Sequence, residues 1–203
     1  MNIIVRRVLR SDVKDMIETH HYSHSINGCM SDYCYAAYSL NGDMIGAMIY
    51  GRLAMHNQWR KYADSEDKVM ELRRLVLIDH PDRPYNAASQ FVSQSLKLLS
   101  RDWKRDGVVI SYADKEYNHT GIIYQATNWR KHSDIPGAKV IVHGDRRYHD
   151  KAIRTKYKGE LKPFAKRLKA ALDSGEAYYT PTAGKICYVY HLDIKRRRAI
   201  VTV

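Results

Sequence analysis

Asn41 and Gly42 stand between two apolar runs, Tyr33 to Leu40 (YCYAAYSL) and Met44 to Arg52 (MIGAMIYGR). An Asn-Gly pair flanked in this way is the strongest short-range signal for a β-hairpin, because these residues tolerate the positive φ that tight turns demand. The hairpin commits this part of the chain to an antiparallel sheet. The rest of the sequence then has to extend that sheet or cover it.

Before the hairpin, Ile3 to Val8 reads as a strand. Ser11 and Asp12 suit the start of a helix, and Val13, Met16 and Ile17 supply its apolar stripe. After the hairpin, Leu53 to Asp67 reads as a loop or short helix. Val69 to Asp79 (VMELRRLVLID) is a strand, Asn86 to Arg105 a long amphipathic helix, and Gly107 to Asp114 (GVVISYAD) a buried strand. His119 to Trp129 reads as a short helix and Lys139 to His143 as a strand. Beyond Gly144 the texture is basic: Tyr157 to Leu172 reads as a helix with Pro163 near its start, and Lys185 to Ile194 as a last strand. The expected fold class is α/β: a mixed sheet, antiparallel at first with a parallel pair in its second half, flanked by helices. Residues 1–143 form the expected core, and 144–203 a basic helix–strand extension of the same domain.

Composition removes several alternatives. Hydrophobic residues are 44% and charged residues 28% of the 203, which excludes a disordered or low-complexity chain. No apolar run approaches the roughly 20 residues of a spanning helix. Arg6 and Arg7 fall where a signal peptide would be apolar, so an intracellular protein without membrane attachment is expected. Three cysteines without CxxC spacing do not make a disulfide framework.

Charge points to a partner. The net charge is +12, and 15 of the 34 basic residues but only 6 of the 22 acidic ones follow His143. A basic third on a near-neutral body suits a polyanion, most simply nucleic acid. Arg146, Arg147, Lys151, Arg154, Lys156 and Lys158 are the expected phosphate contacts, which would make binding steeply salt-dependent. The chain also carries 16 tyrosines against 2 phenylalanines. Tyrosine stacks on bases, although many of these sit in strand-like runs.

Five places carry a family resemblance: His21-Tyr22-Ser23, Glu71 to Leu75 (ELRRL), Asn86 with Ser89, Ser111 to Asp114 (SYAD), and Gly121 to Trp129 (GIIYQATNW). In this order, on this succession of elements, they resemble the GNAT acyltransferases and, within that superfamily, the Mom family of phage DNA-modification proteins. The resemblance implies an enzyme that adds an acetamido- or carbamoyl-type group to the exocyclic N6 of adenine in double-stranded DNA, protecting phage DNA from restriction. It implies acetyl-CoA or a related acyl-CoA as donor and, for a phage protein, the host cytoplasm. The target adenine would have to be flipped out or met in a single strand. The usual Gly-rich pyrophosphate turn is replaced by Asp82 to Ser89 (DRPYNAAS), so Arg83, Asn86 and Ser89 are the expected donor-binding residues at a helix N-terminus.

The same resemblance makes Tyr124 the general acid for a departing thiolate. Asp114, at the carboxyl end of a central strand, is a candidate base or adenine contact, or else a helix cap. Arg74 falls at the family's arginine position and suits a carboxylate, a phosphate or a developing oxyanion. Strand alternation would let only one of Arg73 and Arg74 face the cleft. His21 is a candidate base near neutral pH, and Tyr22 could stack on a flipped base. His20 and His24 would share a face with metal-ligand spacing if the first helix continued, but no third ligand follows them, so no metal is assigned. Two other readings compete: an N-acetyltransferase acting on a protein or RNA amine, and a non-catalytic DNA-binding protein on this fold. An adenine methyltransferase is disfavoured, since no GxGxxG follows a strand.

Overall fold

The computed structural model describes residues 3–193. Ile194 and the Lys195 to Arg198 run lie outside the described residues. Two compact units are present. Among the described residues, the first holds 3–113, His119–Ser133 and 186–193; the second holds Asp114–Asn118 and Asp134–Lys185. Residues from both sides of Gly144 therefore contribute to each unit.

The first unit opens with β1 (Ile4–Val8), α1 (Arg10–His20), β2 (Tyr33–Tyr38), β3 (Met44–Gly51) and β4 (Val69–Leu77). It continues with α2 (Ala87–Trp103), β5 (Gly107–Asp114), the one-turn α3 (Ile122–Gln125) and β6 (Arg130–Ile135). In the second unit follow β7 (Lys139–His143), β8 (Arg146–His149), β9 (Lys156–Tyr157), β10 (Glu160–Leu161), α4 (Pro163–Ser174) and β11 (Ala177–Pro181); β12 (Lys185–Leu192) is the last element among the described residues. The large sheet has the order β1-β2-β3-β4-β5-β12-β6. β1 to β4 are antiparallel neighbours, and β4 and β5 are parallel. The mixed sheet with a parallel pair is the fold expected from sequence.

The hairpin forms where expected. Gly42 alone adopts positive φ (96°), Gly42 N–H donates to the Ser39 carbonyl and Ser39 N–H to the Asp43 carbonyl. The loop is thus a turn centred on Leu40-Asn41 followed by a left-handed glycine, a common hairpin closure. β2 and β3 are buried on both faces. On one, Tyr35, Met48 and Tyr50 pack with Phe91, Val92, Leu96 and Leu99 of α2; on the other, Cys34, Ala47 and Ile49 pack with Val13 and Ile17 of α1. Each large side chain so buried contributes about 1.5–3 kcal/mol.

Several local expectations are corrected. α1 starts at Arg10 with Leu9 as its cap residue, and the Asp12 carboxylate receives the Leu9 N–H at 2.9 Å instead of capping from outside. The stretch from His119 to Trp129 is one turn of helix between left-handed Gly121 and left-handed Asn128. Tyr157 to Leu172 is not one helix. Lys158 and Gly159 take positive φ (49° and 85°), so the chain folds back as the β9–β10 hairpin before α4 begins at Pro163. β6, β8 and β11 are strands that the sequence reading omitted. In the second unit β11, β7 and β8 form a sheet, and Leu168 and Ala171 of α4 pack on Ile141 and Ala177.

Candidate active site

β4 and β5 run side by side only at their starts. Val69, Met70 and Glu71 pair with Val108, Val109 and Ile110, and no pairing follows. Beyond that point the Ser111 hydroxyl reaches the Leu72 carbonyl at 3.0 Å. A cleft of about 180 Å³ lies here, lined by His21, Tyr22, Leu72, Arg73, Arg74, Leu75, Ser111, Tyr112, His119 and Tyr124. None of these ten side chains is a carboxylate.

β4 carries a bulge. Ile49 pairs with Arg74 and Tyr50 with Leu72, leaving Arg73 as the extra residue. A bulge interrupts the two-residue alternation of a strand. Leu72 packs in the α2-side core before it, and Leu75 and Leu77 do so after it. Both arginines consequently line the cleft, which corrects the expectation that only one could. Arg73 Nη1 bonds Glu71 Oε2 and the Arg52 carbonyl, each at 3.0 Å. Arg74 Nε donates to the Ser25 carbonyl at 3.2 Å and its Nη1 to the Arg73 carbonyl at 2.7 Å. Each guanidinium is therefore held by backbone before any ligand arrives.

Tyr124 is buried. Its hydroxyl lies 2.8 Å from Ser111 Oγ, its ring stacks on Tyr188 at 5.1 Å, and Trp129 packs against it at 5.2 Å. Tyr188 is anchored through its hydroxyl, which donates to the Thr120 carbonyl and accepts from Gln125 Nε2, both at 3.0 Å. Burial pushes the Tyr124 phenol up to about 12, so it holds its proton at neutral pH. Tyr112 is likewise pushed up to about 12 by burial, and accepts from Gln58 Nε2 at 2.8 Å.

α1 ends at His20, and His21 turns away as its extended C-cap. His20 and His24 therefore do not share a helix face. His24 (φ 45°) instead sets its Nδ1 3.1 Å from the Glu18 carbonyl. His21 is buried, with its Nδ1 receiving the Ser23 N–H at 3.1 Å and lying 2.8 Å from Ser23 Oγ. Burial first, then the neighbouring Arg74, His119 and His24, lower it to about 4. It is neutral near pH 7 and a weaker base than an ordinary histidine. Tyr22 packs tilted against His21, with ring centroids 4.2 Å apart, and meets His119 edge-on at 5.6 Å. Among the described residues, the one cluster of three potential metal ligands is Asp43, His80 and Asp82, away from these histidines in sequence.

Asp114 is not among the cleft-lining residues. One carboxylate oxygen accepts the Glu116 N–H at 3.1 Å and the other meets Lys185 Nζ at 2.9 Å. This is the helix-cap arrangement weighed against a catalytic one. Arg83 is tied to Asp79 at 3.0 Å and to the Ile78 carbonyl at 3.2 Å. Asn86 precedes α2 and its Oδ1 accepts from Gln90 Nε2 at 2.6 Å, while Ser89 Oγ donates to the Asn86 carbonyl at 3.0 Å. These three hold the turn into α2 together. Of the basic residues, Arg147 pairs with Glu116 at 2.9 Å and Arg154 with Asp150 at 2.8 Å. Lys158 lies over the Tyr157 ring at 5.6 Å. Arg146, Lys151 and Lys156 have no carboxylate partner among the described residues.

Sequence reasoning singled out His21, Tyr22, Arg74 and Tyr124, and the fold brings these four together. It weighed Arg73 only as the alternative to Arg74, left Ser111 and Tyr112 without a role, and passed over His119. The bulge that turns Arg73 inward leaves no mark in strand alternation. Ser111 was findable, since a lone serine in a buried strand needs a hydrogen-bond partner.

The family model of the Mom protein family matches residues 2–202. The methylcarbamoylase mom of Escherichia phage Mu is 29% identical over 118 residues, 57% of this chain and 47% of that protein. The match thus spans about half the length of this curated relative. Among solved structures, AAC(6')-Ib in complex with ribostamycin and coenzyme A superposes with a TM-score of 0.54 at 11% identity, covering 97% of each chain. Arabidopsis thaliana NAA60 in complex with acetyl-CoA gives 0.52 at 13% identity, covering 94% of this chain and 99% of that one. A Bacillus subtilis acetyltransferase in complex with CoA gives 0.50 at 11% identity, covering 95% and 99%. At such identities the likeness is one of fold, that of the GNAT acyltransferases.

Proposed function

The chain belongs to the Mom protein family, and from that premise we propose that it is a transferase that modifies the exocyclic N6 of adenine in DNA with an acyl-type group carried by a CoA thioester. The observation that carries the reading is the cleft where β4 leaves β5, with the buried Tyr124 phenol and two anchored arginines on its walls. The phage Mu relative is named a methylcarbamoylase; simple acyl transfer from a thioester gives an amide, and a nitrogen-containing group would need a donor that carries that nitrogen.

The open edges of β4 and β5 suit an extended pantetheine arm, because unpaired strand edges present free N–H and C=O groups. The first turn of α2 offers amides without intrahelical partners to a pyrophosphate. Arg83, Asn86 and Ser89 shape that turn. In the transfer, the adenine amine attacks the thioester carbonyl carbon and a C–N bond forms. Negative charge gathers on the carbonyl oxygen, where the Arg74 guanidinium stabilises it. The C–S bond then breaks, its electron pair leaves with sulfur, and Tyr124 gives the thiolate its proton. The amine's surplus proton leaves to solvent, since no carboxylate lines the cleft, and Tyr124 takes one back from solvent, which restores the phenol. Tyr22, 36% exposed beside His21, offers a face on which a flipped adenine can stack.

The basic segment from Arg146 to Lys158 supplies phosphate contacts to double-stranded DNA. A new group on N6 alters the major-groove donor pattern of adenine, which is how such DNA would evade restriction enzymes. Expression in a bacterium, digestion of the genomic DNA to nucleosides and mass spectrometry test this reading. A new deoxyadenosine species supports it. An unmodified pool from cells holding folded protein refutes it and favours a protein or RNA amine as acceptor.

A further inference from the structure

The Ser23 N–H points at His21 Nδ1 from 3.1 Å. A backbone N–H cannot be turned around, so Nδ1 must be the acceptor and the neutral ring carries its proton on Nε2. Nε2 has no hydrogen-bond partner among the described residues, and it is not one of the buried side-chain atoms left without a partner. His21 itself lines the cleft. The charged and titratable groups acting on the ring come from every neighbouring segment: Arg74 of β4, His119 ahead of α3 and His24 after α1. All three favour the neutral ring, and no carboxylate among the cleft-lining residues would receive a second proton.

We propose that His21 serves this cleft as a neutral hydrogen-bond donor through Nε2–H, aimed with Arg74 at the acyl carbonyl oxygen, and not as a base. The proposal rests on the acyl-transfer reading above for the identity of the acceptor atom. It does not rest on that reading for the protonation state. Two donors of different kind then meet the same developing charge: a fixed cation and an uncharged N–H that needs no reorganisation. The lowering of His21 to about 4 agrees, because it keeps the ring in its donor form across the physiological range.

Nitrogen-15 spectroscopy of the histidine-labelled full chain, with His21 assigned by its loss in His21→Gln, reads the ring directly. The expected result is a protonated Nε2, an unprotonated Nδ1 and a titration near pH 4. A protonated Nδ1, or a titration near 6.5, overturns the proposal. Activity gives the second arm. His21→Gln keeps an amide N–H near the Nε2 position and should retain adenine modification within about tenfold of wild type. His21→Ala should lose about 10²–10³-fold. Equal loss in both variants makes His21 a base or a purely structural residue and overturns the donor role. A wild-type protein that leaves adenine unmodified refutes the acyl-transfer reading instead, and the spectroscopic arm still decides the proton's position.

Discussion

The Tyr124 hydroxyl sits 2.8 Å from Ser111 Oγ, and Ser111 in turn reaches the Leu72 carbonyl at 3.0 Å. With one proton on each hydroxyl, Ser111 donates to Leu72 and Tyr124 donates to Ser111. The proposed acid is thus held by the same serine that bridges the two strands where they part.

Ser111→Ala should weaken both functions of that serine. It leaves a buried carbonyl and a buried phenol without their partner, a loss of about 1–3 kcal/mol in stability. Modification should fall by about tenfold as Tyr124 loses its positioning. Urea denaturation and initial rates at equal folded protein check the two effects separately.

His21 predicts how stability depends on acidity. Its pKa falls from the ordinary 6.5 to about 4 on folding, so the unfolded chain binds its proton more readily. The stabilisation is complete above pH 6.5 and is lost as pH falls from there through 4, by an amount on the order of 1–3 kcal/mol. Denaturation midpoints measured across that range should decline in wild type and decline less in His21→Gln.

Gly121 holds the turn ahead of α3 at φ 83°, and a Cβ built there would collide with the Tyr188 ring. Gly121→Ala is therefore strained twice, by backbone and by collision. A loss of more than about 2 kcal/mol is expected. Tyr188 would have to move, and with it the ring against which Tyr124 stacks. Near-ultraviolet circular dichroism should report that shift, and an unperturbed spectrum would contradict this packing account.

The basic segment should not act uniformly. Removing the charge of Lys151 or Lys156, which have no carboxylate partner among the described residues, should lower the salt slope of DNA binding by about 1 each. Arg147 and Arg154 already hold Glu116 and Asp150, so their removal should change the slope less. Fluorescence anisotropy across a salt series distinguishes the two pairs.

Much of this arrangement was legible in the sequence for identifiable reasons. The hairpin, β5 and α2 have strong local signals: a turn glycine, an unbroken apolar run and a clear helical stripe. Tyr124 and Arg74 were legible through the ordered motifs. What escaped depends on contacts far apart in the chain. The β9–β10 hairpin hid inside a helical pattern because Lys158 takes the left-handed conformation that only its neighbour Gly159 advertises. Arg73 faces the cleft because of a bulge set by pairing with β3. His21 looks like a base by residue type, whereas the Ser23 amide on Nδ1 and the burial of the ring suit the neutral donor proposed above. Asp114 occupies a strand end that suits catalysis, yet Lys185, some seventy residues later, takes its carboxylate.

The most direct test of the account compares the yield of modified deoxyadenosine from cells expressing wild type and Tyr124→Phe at matched levels of folded protein. Phenylalanine preserves the stacking on Tyr188 and removes only the hydroxyl. The account predicts a fall of at least about 10²-fold, the contribution of a positioned general acid. A Tyr124→Phe protein that modifies adenine as well as wild type would contradict the assignment of the chemistry to this cleft.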